Sequence, residues 1–136
     1  MIVERSLGPS LMSHNGLITI VVVEDHDDTR RFLGNFLGRL GANVVLARNA
    51  VEGVEAVKAS RPNLVLCDIK MPGRDGFEVL SEIRAIGPAA GGSVPVIAMS
   101  ALVTHASARM LGFQACLAKP FTPDKLLKTI LTVFND

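Results

Sequence analysis

The sequence predicts an α/β domain built on a doubly wound parallel sheet, and three observations carry that prediction. Short apolar runs rich in β-branched residues alternate along the chain with segments whose apolar residues recur at helical spacing. The first run, "ITIVVV" (residues 18–23), is apolar almost throughout, as a strand covered on both faces must be. With 136 residues, 49% of them hydrophobic, the chain has material for one core and no room for a second domain.

Strands are expected over Leu17–Val23, Asn43–Ala47, Leu64–Cys67, Val94–Met99 and Ala115–Ala118. In the first helical segment Phe32, Phe36 and Leu40 recur at intervals of four beside Leu33 and Leu37, and Gly41 stops it. The second, Ala50 to Ser60, carries Val51, Val54 and Val57 and ends before Pro62. Gly76 to Ile86 presents Val79, Leu80 and Ile83, and Pro88 with "AAGGS" reads as a flexible loop. For the last helix Thr122 is a good N-cap, Pro123 suits the first turn, and Leu126, Leu127, Ile130, Leu131 and Phe134 face inward. Strands alternating with helices imply crossovers that cover both faces of a parallel sheet.

Residues 1–16 have no signal-peptide core and hold Gly8, Pro9, Ser10, Ser13, Asn15 and Gly16, which reads as a flexible leader before a domain over 17–136. Met12 opens "MSHNGLITIVVV" and would also serve as a start. Lys and Arg total 14 against 13 Asp and Glu, so no overall field favours nucleic acid or an anionic membrane. Cys67 and Cys116 match no metal spacing and read as reduced thiols of a cytoplasmic protein. No apolar run reaches the roughly 20 residues that a membrane span needs.

In a doubly wound sheet ligands bind beyond the carboxyl ends of the strands. The polar residues expected there are Glu24 and Asp25, Asp68, Ser100 and Lys119; Arg48 and Asn49, after the second strand, carry no comparable signal. Clustered carboxylates repel unless a cation neutralises them, and a hard ion that prefers oxygen ligands, Mg²⁺, does this best. Glu24 and Asp25 therefore look like half of a magnesium site. Several neighbours have plainer readings. Asp27 and Asp28 suit an N-cap or the helix dipole, Arg30 and Arg31 a solvated face, and Cys67 the core; His14, His26 and His105 read as exposed.

"VVVEDHDDTRR", "LVLCDIKMPGRDGFEVL", "VPVIAMSA" and "LAKPF", in this order, resemble the receiver domain of two-component response regulators from about Leu17 to Phe134. The resemblance implies a CheY-like, flavodoxin-like fold: five parallel strands in the order 2-1-3-4-5 flanked by five helices. It implies that Asp68 accepts a phosphoryl group from the phosphohistidine of a sensor histidine kinase or histidine phosphotransfer protein. Glu24 and Asp25 with Asp68 and the carbonyl of Lys70 would hold Mg²⁺, Ser100 would reach a phosphoryl oxygen, and Lys119 would bridge to it. The Lys119-Pro120 bond resembles a cis bond of the family. Such a domain, standing alone, would catalyse only its own phosphorylation and dephosphorylation and act by docking a downstream target or by onward transfer, without contacting nucleic acid or membrane.

Three positions depart from the family pattern. Cys116 stands where an aromatic residue is usual, three before the lysine, so a swinging ring cannot report the switch. The stretch from Ser100 to Lys119 is shorter than usual, which predicts a short or displaced fourth helix. Lys70, two after the acceptor, predicts slow self-dephosphorylation by shielding the acyl phosphate. Rival classes fare worse: a magnesium-dependent phosphatase resembling the haloacid dehalogenases needs an Asp where Lys70 stands, and no G-x-x-x-x-G-K-[ST] or G-x-G-x-x-G marks a nucleotide module. A pseudo-receiver that docks partners without phosphorylation is argued against by the full set of Glu24, Asp25, Asp68, Ser100 and Lys119.

Overall fold

The computed structural model describes Met12, Ser13 and residues 16–135. Five strands form the main sheet: β1 (Thr19–Val23), β2 (Asn43–Ala47), β3 (Leu64–Asp68), β4 (Val96–Ser100) and β5 (Ala115–Ala118). All pair in parallel, in the spatial order β2-β1-β3-β4-β5, the expected 2-1-3-4-5. Five helices connect or follow them: α1 (Asp27–Arg39), α2 (Ala50–Ser60), α3 (Gly76–Ala85), α4 (His105–Met110) and α5 (Pro123–Phe134).

Alternation along the strands sorts the core into two layers. Ile20, Val22, Leu64, Leu66, Ile97, Met99 and Leu117 pack with Leu33 and Leu37 of α1 and Leu126 and Ile130 of α5. Val21, Val23, Val65, Cys67, Val96 and Ala98 pack on the other face with Val54 and Val57 of α2, Val79 and Ile83 of α3, and Ala108 of α4. In α1 the buried positions are Leu33 and Leu37, while Phe32 is exposed and stacks on Phe36 with centroids 5.8 Å apart.

Element edges differ from the sequence expectation for local reasons. The first strand begins at Thr19, because Gly16–Leu17 instead pairs antiparallel with Met12–Ser13. Met12, Ser13 and Gly16 of the expected leader thus lie in or beside a short ladder; its remaining residues are outside those described. The fourth strand starts at Val96 rather than Val94, since Pro95 has no N–H for the ladder and contributes only its carbonyl, which accepts from Val65 N at 3.0 Å. The third strand runs on through Asp68, with Ile69 N donating to Met99 O at 3.0 Å.

The segment after α3 is a fixed turn, not the expected flexible loop. Pro88–Ala90 forms one 3₁₀ turn, and the Arg84 guanidinium donates to the carbonyls of Gly92 at 2.9 Å and Val94 at 2.7 Å. Helix α4 has six residues, short as expected, with the Thr104 hydroxyl accepting from Ser107 N at 3.1 Å.

Helix α3 begins hard against the third strand. Asp75 caps it and exchanges bonds with Glu78 in a capping box. A Cβ on Gly76 would lie 2.7 Å from the Asp68 carbonyl oxygen and 2.8 Å from Ile69 Cα, and neither backbone atom can retreat cheaply. Gly76→Ala is expected to cost about 2–3 kcal/mol by overpacking, read from urea unfolding; a loss below about 0.5 kcal/mol would contradict so close an approach.

Candidate functional site

Register decides what meets at the carboxyl edge. Val23 pairs with Cys67, so Glu24 and Asp68 leave the sheet side by side; Asp68 pairs with Met99, and Ser100 with Ala118, bringing Ser100 and Lys119 to the same edge. Extending the alternation one residue puts Glu24, Asp68 and Lys119 on the α1/α5 side and Ser100 on the α4 side.

The contacts follow this division. Lys119 Nζ lies 3.0 Å from Glu24 Oε1 and 3.3 Å from Asp68 Oδ2. The Glu24 side chain is fully buried, that of Asp68 is 7% exposed, and that of Lys119 is 28% exposed. Glu24 Oε2 accepts from His26 N at 3.0 Å, and Asp68 Oδ1 accepts from Lys70 N at 3.3 Å. Asp25 is exposed, yet one carboxylate oxygen each from Glu24, Asp25 and Asp68 lie within 4.8 Å of one another. These residues, with His26, Thr29, Lys70, Met71, Pro72, Ser100, Ala101 and Leu102, line a cleft of about 680 Å³.

Burial and neighbouring charge act against each other on these groups. Burial, then the Glu24 carboxylate, push Asp68 up to about 6 despite the opposing pull of Lys119. Burial alone would lower the Lys119 ammonium, but Glu24 and then Asp68 outweigh it, and the net shift is upward. Three oxygen ligands with surplus negative charge fit a hard divalent ion, and the donor set holds no sulfur or imidazole.

Ser100 belongs to a different set of bonds. Its hydroxyl oxygen accepts from Leu102 N at 2.9 Å and Val103 N at 3.1 Å. Val103 O in turn accepts from Cys116 Sγ at 3.1 Å, while Cys116 N donates to His105 Nδ1 at 3.4 Å. The Cys116 thiol therefore tethers, through Val103, the loop whose amides hold the Ser100 hydroxyl. Burial raises the Cys116 thiol's pKa and keeps it protonated as a donor.

Of the plainer readings, that of Arg30 changes, while for Asp27 and Asp28 the helix-dipole alternative holds over the N-cap. The N-cap of α1 is His26, without a side-chain cap bond, so Asp27 and Asp28 are first-turn residues that pair with Arg30 and Arg31. The Arg30 hydrogen bond and charge hold Asp27 below the usual carboxylate range. Arg30 is not on a solvated face: its side chain is 12% exposed and binds the backbone of the acidic turn. His105, though exposed, accepts a backbone bond. Cys67 is core, as read; His26 is exposed and lies in the cleft rim, and His14 is outside the described residues.

A cis peptide joins Lys119 and Pro120. Beside the cleft lies a groove of about 500 Å³ lined by Asp28, Thr29, Phe32, Ala101, Lys119, Pro120 and Phe121. Among the described residues no helix is long and apolar enough to cross a membrane.

A doubly wound α/β domain with a lysine-bridged carboxylate cluster at its sheet edge is the class that fold and site define. Residues 20–131 match the family model described as response regulator receiver domain, and the chain belongs to that family. It is 33% identical over 128 residues to sensor histidine kinase RcsC of Escherichia coli K12, covering 92% of this chain but 13% of RcsC. The chain thus spans only about an eighth of that relative's length. With a 14.6 kDa protein from the sodA1 3′ region of Leptolyngbya boryana it shares 34% identity over 82% of this chain and 86% of the other. The receiver domain of sensor histidine kinase PA1611 from Pseudomonas aeruginosa, solved with magnesium coordinated in its active-site cleft, superposes with a TM-score of 0.77 at 27% identity, covering 88% of this chain and 99% of that one. Vibrio cholerae CheY4, at 23% identity and a TM-score of 0.79 over 86% of this chain and 98% of that one, shares the fold.

Proposed function

We propose that this chain is a phosphoacceptor signalling domain that takes a phosphoryl group onto Asp68 from the phosphohistidine of a sensor histidine kinase or histidine phosphotransfer protein, with Mg²⁺ as cofactor. The observation that carries this is Asp68 itself: a nearly buried carboxylate at the floor of an open cleft, 3.3 Å from an ammonium and grouped with two further carboxylates. Glu24, Asp25, Asp68 and the carbonyl of Lys70 would hold the ion, which when bound neutralises charge on the phosphoryl oxygens.

A carboxylate needs no general base to act as a nucleophile above its pKa. Its oxygen bonds to phosphorus as the donor's P–N bond breaks, and the imidazole nitrogen keeps the electron pair. Positioning and charge neutralisation do most of the work in such a transfer. Lys119 faces one phosphoryl oxygen, and the Ser100 hydroxyl turns from its loop amides toward another. The carboxyl edge is open to solvent there, and the apolar groove at Phe32, Pro120 and Phe121 adjoins it through Thr29, Ala101 and Lys119. A phosphohistidine donor seated in that groove would present its ring to Asp68. Signalling then follows by docking of a target or by onward transfer.

The test is intact mass after incubation with a small phosphodonor, with and without Mg²⁺. A magnesium-dependent gain of one phosphoryl group is expected; its absence from folded protein that binds Mg²⁺ would favour docking without phosphorylation. Lys70 lines the cleft two residues after the acceptor, and its long basic chain would shield the acyl phosphate from water. Lys70→Ala is expected to shorten the phosphoprotein's half-life severalfold, measured by the decay of the phosphorylated mass; an unchanged half-life would remove that role.

A further inference from the structure

The adjacent arginines of "DDTRR" have unlike fates. Arg31 is 69% exposed and pairs with Asp28, which is 95% exposed, at 2.9 Å, an arrangement of little energetic consequence. Arg30, one residue earlier, is 12% exposed and bonds every residue of the turn between β1 and α1. Its Nη1 donates to the carbonyls of Glu24 at 3.0 Å and Asp25 at 3.4 Å, its backbone N–H to that of His26 at 2.9 Å, and its Nη2 to Asp27 Oδ1 at 2.5 Å.

This turn carries two of the three clustered carboxylates; beside the Arg30 bonds, its Glu24 end is held by the Glu24 side chain, which accepts from His26 N and pairs with Lys119. The β1 ladder ends where Glu24 N meets Ala47 O at 3.0 Å, and α1 opens at His26 without a side-chain cap. Asp25 sits between these ends with an exposed side chain that solvent would let rotate away from Glu24 and Asp68. A planar guanidinium donating along two edges fixes peptide orientation in a way that a single ammonium cannot.

We propose that Arg30 is a positioning residue for the cation site: by clamping the Glu24 and Asp25 carbonyls and the Asp27 carboxylate it keeps the Asp25 carboxylate within reach of the ion shared with Glu24 and Asp68. This rests on the Mg²⁺-dependent reading given above. Charge and geometry make opposite demands here, which makes the role measurable. A positive group beside an acidic cluster repels a divalent ion, so losing it by charge alone would tighten binding. Losing the clamp would weaken binding.

Mg²⁺ titration calorimetry at fixed ionic strength on the whole chain decides between these, with the parent compared to Arg30→Lys, Arg30→Met and the exposed control Arg31→Met. Arg30→Lys keeps the charge and is the milder variant should Arg30→Met not fold, which circular dichroism checks. About tenfold weaker binding is expected for both Arg30 variants, the scale on which groups orienting metal ligands act, with no change for Arg31→Met. Parent-like affinity in folded Arg30→Lys, or tighter binding in Arg30→Met, overturns the role of Arg30 alone. A parent that takes up no Mg²⁺ overturns the reading beneath it as well.

Discussion

Asp68→Asn is expected to abolish the magnesium-dependent phosphoryl gain entirely while making the protein more stable at neutral pH. The two effects share one cause. Desolvation and the Glu24 carboxylate lift Asp68 to about 6, which means that the folded chain binds this proton more tightly than the unfolded chain does. Below about pH 4 the group is protonated in both states and carries no penalty. As pH rises from there through 6 the unfolded state ionises first, so the contribution of Asp68 to stability falls and then levels off. Asn has the same shape and no charge, so the gap between variant and parent should widen over that window to the order of 2 kcal/mol. Thermal melts at a series of pH values in the absence of Mg²⁺ measure it. A variant no more stable than the parent at pH 7 would mean that Lys119 already offsets the buried charge in full. Phosphoryl acceptance by the parent, measured with Mg²⁺ present, should fall on acidification with a midpoint below about 6, because the cation favours the ionised carboxylate.

Lys119→Met is expected to have the opposite effect on stability. Glu24 is fully buried, and Lys119 Nζ at 3.0 Å is its cationic partner; the same ammonium separates it from Asp68. Removing one member of a buried ion pair leaves the other charge uncompensated, at a cost of about 3 kcal/mol when, as here, some solvent can follow. Asp68, already raised by burial and Glu24, would then lose the opposing pull of Lys119 and relax by protonation, so the loss should shrink on acidification, and Mg²⁺ should restore much of it by taking the place of the ammonium. Melting with and without Mg²⁺ reads both. Equal melting of variant and parent without Mg²⁺ would show that the bridge adds nothing to stability. Phosphoryl transfer should be slowed even at saturating Mg²⁺, because the charge that faces the phosphoryl oxygen is gone.

What the sequence by itself determined was the inventory at the edge of the sheet. Apolar runs broken by turn residues locate the five strands to within a residue or two, and a carboxylate, hydroxyl or lysine straight after such a run must emerge at the carboxyl edge, because the strands are parallel. Glu24, Asp25, Asp68, Ser100 and Lys119 were legible for that reason. The shortness of α4 was legible from the spacing between Ser100 and Lys119. Strand edges set by one missing donor, as at Pro95, or by a competing short ladder, as at Leu17, leave only faint marks in the apolar pattern.

Pairing among these groups was decided by the tertiary structure alone. Register and alternation bring Lys119 between Glu24 and Asp68 while turning Ser100 toward the α4 loop, and both depend on which strands neighbour each other. Arg30 and Arg31 are chemically identical neighbours in sequence, yet the helix turns one under the acidic loop and the other into water. Cys116 likewise shows nothing of its bond to Val103 O, since those residues meet only where β5 packs beside the loop leading into α4. Composition and period specify which surface a residue occupies; the partner it finds there depends on segments distant in sequence.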